Sequence, residues 1–259
     1  MSYIKNGVIK NGSKIGTATV DSSGLLKKGW MIPYVSFTPS SVTIHETDMP
    51  NVSSEQIYKS LKNGNSDTSR KQASFQICVS ATKIMQCVNL FRTCWHAGNR
   101  TGSATSIGIE ICQYDDKALQ EKAYKNAAEL VKIILAEIKT VKVKKVVQHN
   151  YWSGKNCPSK LRAKWKGYTW DWFTNLVYSE KKYTKLKNGD YNKKATVITP
   201  TLNVRKSRPD KNGKLGKYDF KLKEGDIIEV GYVLNGWASI WVEGDMGYIN
   251  TSSKYIKLL

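Results

Sequence analysis

A chain of 259 residues with 41 lysines and arginines against 21 aspartates and glutamates, a formal charge of +20, exceeds one typical domain and is strongly basic. Its 40% hydrophobic and 24% charged residues exclude the disordered class, and no run approaches the ~18 apolar residues of a membrane span, which excludes stable membrane insertion. The charge attracts anionic polymers, but the lysines are scattered among apolar residues with no block of about five or six like charges, so nucleic acid is not an expected partner.

The first residues, Met1 to Gly16, carry no apolar signal-peptide core, so synthesis without an export signal is expected. From Val42 to His45 apolar and polar residues alternate, which predicts a strand with Val42 and Ile44 on one face and His45 on the other. Ile107 to Cys112 repeats the pattern, with Ile107, Ile109 and Ile111 facing one way and Gly108, Glu110 and Cys112 the other. Leu119, Ala123, Ala127, Leu130, Val131, Ile134 and Ile138 recur at three- and four-residue steps, the signature of a long amphipathic helix. A third, β-branched run from Val143 ends in His149, and an aromatic-rich helix follows over Tyr168 to Tyr178. The alternation predicts an α/β fold, a mixed central sheet flanked by helices, over residues 1–180.

Lys181 to Lys194 is polar and basic without apolar period and reads as a linker. Residues 195–259 then form a small all-β module with strands predicted at Val197 to Val204, Ile227 to Leu234, Trp237 to Val242 and Gly247 to Asn250. Asn235-Gly236 between two of them is a strong hairpin signal, because both residues tolerate positive φ. Both regions are basic: 25 basic against 13 acidic residues up to Glu180, and 16 against 8 beyond it. Five cysteines, Cys78, Cys87, Cys94, Cys112 and Cys157, are an odd number in a chain too large to need a disulfide framework, which points to a reducing compartment.

His149 opens the run HNYWSGKNCP, which places Cys157 eight residues on, across a glycine-containing loop. With His45 from a neighbouring strand they make a three-ligand set. Imidazole and thiolate suit zinc, and three protein ligands leave a fourth position open, as in a catalytic site. By spacing alone a second reading stands beside this one: two half-buried histidines and a small buried cysteine.

TIHET around His45, CWHAGN around His96, SIGIEIC around Glu110 and QHNYWSGKNCPSKL from Gln148 together resemble the type 2 N-acetylmuramoyl-L-alanine amidases, a family that includes phage endolysins and is related to the peptidoglycan recognition proteins. The motifs stand in the family's order over residues 40–162. The resemblance implies that His45, His149 and Cys157 hold Zn2+, that Glu110 accepts the proton of a zinc-activated water, and that Lys155 stabilises the oxyanion. It implies for His96 a substrate contact or a polar support of the site. The family commonly carries a histidine, and some relatives a catalytic tyrosine, where this chain has Phe75-Gln76; that departure shifts the burden of proton transfer to Glu110.

The motifs TLNVRKSR, LKEGDIIEV, NGWASIWVEGDMGYI and KYIKLL resemble a bacterial SH3 domain, an SH3-like barrel that binds cell wall. Trp237, Trp241, Tyr232 and Tyr248 line a groove there or fill its core, and the sequence leaves both open. The resemblances imply an endolysin that cleaves the amide between N-acetylmuramic acid and L-alanine in bacterial peptidoglycan. Such an enzyme is made in the host cytoplasm and acts on the wall after holin-dependent release. Two alternatives remain: a non-catalytic peptidoglycan-binding protein using the same cleft, and a thiol hydrolase in which His149 activates Cys157.

Overall fold

The computed structural model describes residues 2–141, 145–179, 185–242 and 244–259. The chain divides into two compact units, Ser2–Ser179 and Glu180–Leu259. No helix among the described residues is long and apolar enough to cross a membrane.

The first unit opens with a two-stranded hairpin, β1 (Ile4–Lys5) and β2 (Val8–Ile9). Its main sheet contains β3 (Lys14–Ile15), β4 (Ala18–Asp21), β5 (Ser41–Pro50), β6 (Ile77–Val79), β7 (Lys83–Gln86), β8 (Ser106–Gln113) and β9 (Val146–Gln148), in the order β3-β4-β7-β6-β8-β5-β9. The pairs β4/β7, β6/β8, β5/β8 and β5/β9 are parallel, and β3/β4 and β6/β7 antiparallel, so the sheet is mixed. The helices are α1 (Ser54–Gly64), α2 (Arg100–Thr105), α3 (Lys117–Glu137), α4 (Asn150–Ser153), α5 (Ser159–Arg162) and α6 (Trp170–Tyr178).

Strand alternation divides the core between the two sheet faces. Val42, Ile44, Ile107, Ile109 and Ile111 pack with Ala123, Tyr124, Ala127, Leu130, Val131 and Ile134 of α3 and Phe173 of α6. Ile57 and Leu61 of α1 cover a second cluster with Cys78, Cys87, Cys94 and Cys112. All five cysteines are free and buried.

Helix α3 begins two residues before the predicted apolar stripe, because the Asp116 side chain caps it by accepting from the Leu119 amide. Leu119 itself is 37% exposed, so the stripe starts at Ala123 rather than at Leu119. Helix α6 starts at Trp170 rather than Tyr168, capped by the Thr169 hydroxyl. Of the predicted third strand, Val143 and Lys144 lie outside the described residues, and His149 lies one residue past the strand, in helical conformation at the start of α4.

Glu137 at the end of α3 ties down the chain start. Its carboxylate accepts from Ser2 Oγ at 2.7 Å and from the Tyr3 and Ile4 amides at 2.8 and 2.7 Å. Burial alone would push its pKa up, but the Tyr3 amide, the Ser2 hydroxyl and the Ile4 amide together hold it below the ordinary 4.5. A depressed folded-state pKa gives stability that is present above the unfolded value and lost as pH falls through the folded one. Below about pH 4.5 the unsubstituted protein should therefore lose about 1 kcal/mol, discounted for solvent screening, that a Glu137→Gln variant does not lose. Acid unfolding curves of the two proteins that fall in parallel would refute it.

The second unit is a seven-stranded antiparallel sheet of β10 (Gly189–Val197), β11 (Thr201–Arg205), β12 (Tyr218–Lys223), β13 (Ile227–Leu234), β14 (Trp237–Val242), β15 (Asp245–Asn250) and β16 (Ile256–Leu258), ordered β12-β11-β15-β14-β13-β10-β16. Its core is small and aliphatic, with Val197, Val204, Ile228, Val230, Val233, Ile240 and Ile249. Asn235 and Gly236 have φ of 52° and 75° and turn the β13–β14 hairpin, as that dipeptide predicts. Of the segment read as linker, Lys181–Thr184 lie outside the described residues, and Gly189–Lys194 belong to β10. No alternating pattern marks that half of β10, because only Ala195 and Val197 of the strand are buried while its polar part pairs with β13 through backbone bonds. Tyr232 and Trp241 are each 43% exposed, and Trp237 and Tyr248 are half-buried.

Candidate metal centre

Parallel pairing of β5 with β8 sets His45 opposite Glu110, and pairing of β5 with β9 sets Ile44 opposite Gln148. The His149 amide then donates to the Ile44 carbonyl at 3.2 Å, which brings His149 level with His45. From α4 the chain returns through a loop fixed by Asn150: its amide donates to the Cys157 carbonyl at 3.0 Å, and its Nδ2 to the Gly154 and Lys155 carbonyls at 2.8 and 2.9 Å. Cys157, 1% exposed, is thereby delivered to the same point.

His45 Nδ1 lies 3.1 Å from His149 Nδ1 and 3.9 Å from Cys157 Sγ, and one ligand atom from each of the three residues lies within 4.8 Å of the others. The opposite edge of His45 fixes its tautomer. His96 Nε2 faces the Ser106 carbonyl at 3.2 Å, and a carbonyl only accepts, so that nitrogen carries a hydrogen. Burial pushes His96 down to about 4 and keeps it neutral, so its Nδ1 accepts from His45 Nε2 at 3.1 Å. His45 Nδ1 is left as a bare lone pair. Burial likewise lowers His149, whose ring is held by a hydrogen bond with the Ala97 backbone.

His149 Nδ1 faces that lone pair at 3.1 Å, where it either donates its own hydrogen or, with the hydrogen on the other ring nitrogen, offers a second lone pair to a shared cation. Tetrahedral zinc, with bonds of about 2.0–2.3 Å, separates its ligand atoms by about 3.3–3.6 Å, and the observed separations bracket that range. The donor set of two imidazoles and one sulfur is the borderline-soft type zinc prefers. Glu110 adds a second sign. Its Oε1 is 3.9 Å from His45 Nδ1, while Oε2 is buried and has no hydrogen-bond partner among the described residues. Burial pushes this carboxyl up to about 8, against the pull of Lys155, so the orphaned oxygen wants a proton or a cation nearby. Burial also pushes the Cys157 thiol up to about 12, and Glu110 beside it pushes the same way; a thiolate here needs a metal to stabilise it.

Lys155 is exposed at the mouth of the site, with Nζ 3.7 Å from Asp48 Oδ2. His96 is buried behind His45 with both ring nitrogens engaged. Its place depends on Gly108, where a Cβ would fall 2.7 Å from the His96 ring. At the departure from the family pattern, Gln76 is buried and structural: Oε1 accepts from the Gly108 amide at 2.7 Å and Nε2 donates to the Arg92 carbonyl at 2.8 Å. Phe75 packs against the cysteine-rich cluster. A cleft of about 550 Å³ lined by Gln72, Trp95, Gly98, Asn99, Arg100 and Ser103 opens beside His149, whose Nε2 would stand 3.4 Å from a Cβ at Gly98.

The sequence reading missed Glu46 and the Ser106 carbonyl. Glu46 is buried directly after a ligand candidate, and its one available signal was a carboxylate in phase with Val42 and Ile44, on the apolar face of the strand.

A family model for N-acetylmuramoyl-L-alanine amidase matches residues 36–160, the span that holds all six candidate residues. The N-acetylmuramoyl-L-alanine amidase CwlH of Bacillus subtilis (strain 168) is 32% identical over 179 residues, which cover 67% of this chain and 67% of that protein. The chain belongs to the N-acetylmuramoyl-L-alanine amidase family. Another amidase of the family, XlyA of Bacillus subtilis (strain 168), is 37% identical over 138 residues, 52% of this chain; the match spans 45% of XlyA's own length. Solved structures agree. The catalytic domain of XlyA superposes with a TM-score of 0.53 at 32% identity, covering 62% of this chain and 99% of that chain. A mutant endolysin from Bacillus subtilis gives 0.54 at 30% identity with the same coverage. The mixed sheet with its flanking helices is thus the fold of the amidase catalytic domain, and the family match ends before the second unit.

Proposed function

We propose that this chain is a zinc-dependent peptidoglycan amidase of the phage endolysin type, which cleaves the bond between the lactyl group of N-acetylmuramic acid and L-alanine. The observation that carries the reading is the convergence of His45 Nδ1, His149 Nδ1 and Cys157 Sγ beside the orphaned oxygen of Glu110 in an amidase-family fold. His45, His149 and Cys157 would hold the zinc. When bound, zinc supplies Lewis acidity to the amide carbonyl and acidifies water.

The remaining work falls to the chain. Glu110 Oε2 accepts the proton of the attacking water and returns it to the leaving L-alanine nitrogen. Lys155, whose exposed side chain stands at the mouth of the site beside Asp48, offsets charge on the carbonyl oxygen as the tetrahedral intermediate forms. His96 holds His45 in the tautomer that turns Nδ1 toward the metal. Residues of the Trp95–Arg100 cleft receive the substrate flanks. In the second unit, the motifs similar to a bacterial SH3 domain and the exposed Trp241 and Tyr232 support a wall-binding role that keeps the catalytic unit near its substrate.

Digestion of purified walls followed by mass spectrometry tests the reading. Free amino termini on L-alanine are expected, lost on chelation with EDTA and regained with added zinc. Chelator-insensitive binding without product would instead favour a recognition protein, the reading that Phe75-Gln76 favours. New reducing sugars without those termini would refute the amidase assignment.

A further inference from the structure

One residue past His45, strand alternation turns Glu46 to the other side of β5, where it is 3% exposed. Its Oε1 accepts from Tyr124 Oη of α3 at 2.5 Å. Its Oε2 accepts from the Lys160 backbone amide at 2.6 Å and from Gln113 Nε2 of β8 at 3.1 Å. One oxygen thus faces the core and the other faces the segment that follows Cys157.

That segment needs an acceptor. Pro158 stands at the start of α5 and offers no side-chain cap, so the Lys160 amide in the first helical turn has no partner within the helix. Glu46 supplies one from another element. Ser159 strengthens the same junction: its hydroxyl lies 3.4 Å from Glu46 Oε2, donates to Asp48 Oδ1 at 2.7 Å and accepts from Gln113 Nε2 at 2.9 Å. Before Cys157 the loop is fixed by Asn150, and after it by Glu46. Cys157 is the residue between the two clamps.

We propose that Glu46 is a positioning residue that fixes the backbone after Cys157, so that the sulfur stands at ligand distance from His45 and His149 before a metal arrives. The Glu46 side chain faces away from the cleft, and only its backbone carbonyl, 4.0 Å from Cys157 Sγ, meets the site; a side-chain substitution leaves that carbonyl in place. Preorganised ligands bind more tightly because less of the binding energy is spent on ordering them. Since the role presupposes that the site takes zinc, it rests on the proposed function above.

The test is zinc affinity of the full chain, measured by competition with a chromophoric chelator. Glu46→Gln keeps the side-chain volume but sets an amide group among donors, and is expected to weaken zinc binding roughly 10- to 100-fold. Tyr124→Phe removes the core-side bond alone and is expected to lower the melting temperature while leaving zinc affinity unchanged. Should Glu46→Gln fail to fold, Ser159→Ala trims only the loop side and is expected to show a smaller loss of affinity in the same direction. Unchanged zinc affinity in Glu46→Gln, or in Ser159→Ala where that variant stands in, would overturn the role; so would an equal loss in Tyr124→Phe, which would make it a matter of fold stability. Absence of zinc uptake by the unsubstituted chain would remove the zinc reading itself, whereas equally tight uptake by unsubstituted and Glu46→Gln protein removes only the positioning role.

Discussion

Full-length His45→Asn protein is expected to retain no stoichiometric zinc and to release stem peptide from walls at least on the order of 10³-fold more slowly than the unsubstituted chain. His45 is the centre of the site: Nδ1 faces both His149 Nδ1 and Cys157 Sγ, and Nε2 is held by His96. Asparagine is shorter and offers no imidazole nitrogen at that point, so the remaining histidine and cysteine form an incomplete set. Losing several kcal/mol of transition-state charge stabilisation corresponds to that rate factor. The variant also separates metal from thiol chemistry. A nucleophilic Cys157 activated by His149 would keep its pair intact and keep turning over. Zinc content by atomic absorption, measured beside product release, decides between them, and substantial hydrolysis by zinc-free His45→Asn protein would defeat the metal reading.

Glu110→Gln is expected to lower kcat by about 10²- to 10⁴-fold while zinc content and wall binding stay as they are. Glutamine matches the carboxylate in shape but cannot accept a proton. Glu110 Oε1 stands 3.9 Å from His45 Nδ1, outside the ligand trio, which is why zinc should remain. Phe75 and Gln76, just before β6, supply no titratable group that could take over. Loss of zinc together with activity would show Glu110 to be a ligand, and undiminished kcat would place the base elsewhere.

The two strands that carry the site were legible because each has one face against α3. A strict alternation of Val42 and Ile44 with Thr43 and His45, and of Ile107, Ile109 and Ile111 with Gly108 and Glu110, appears only where one side is apolar and the other is not. The N-terminal part of β10 was illegible for the converse reason. It is held to β13 by backbone bonds that leave no trace in side-chain type, and its residues read as a polar connector. Leu119 misled in the opposite sense: apolar and in phase with the helix, it sits in the first turn of α3 beyond the reach of the core.

By itself the sequence determined the residue chemistry: which histidines, cysteine and carboxylate were available, which strand faces His45 and Glu110 occupy, and that a basic two-part chain carried amidase-like motifs. The tertiary structure alone decided what those residues do to one another. Parallel pairing of β5 with β8 and β9 sets residues more than a hundred positions apart at 3.1 Å, and sequence spacing holds no measure of such a distance. The tautomer of His45 depends on a backbone carbonyl at Ser106, a group every residue carries and no sequence marks. Glu46 became meaningful only when α3, β8 and the start of α5 closed around it, because a buried carboxylate is defined by its donors and these come from distant parts of the chain.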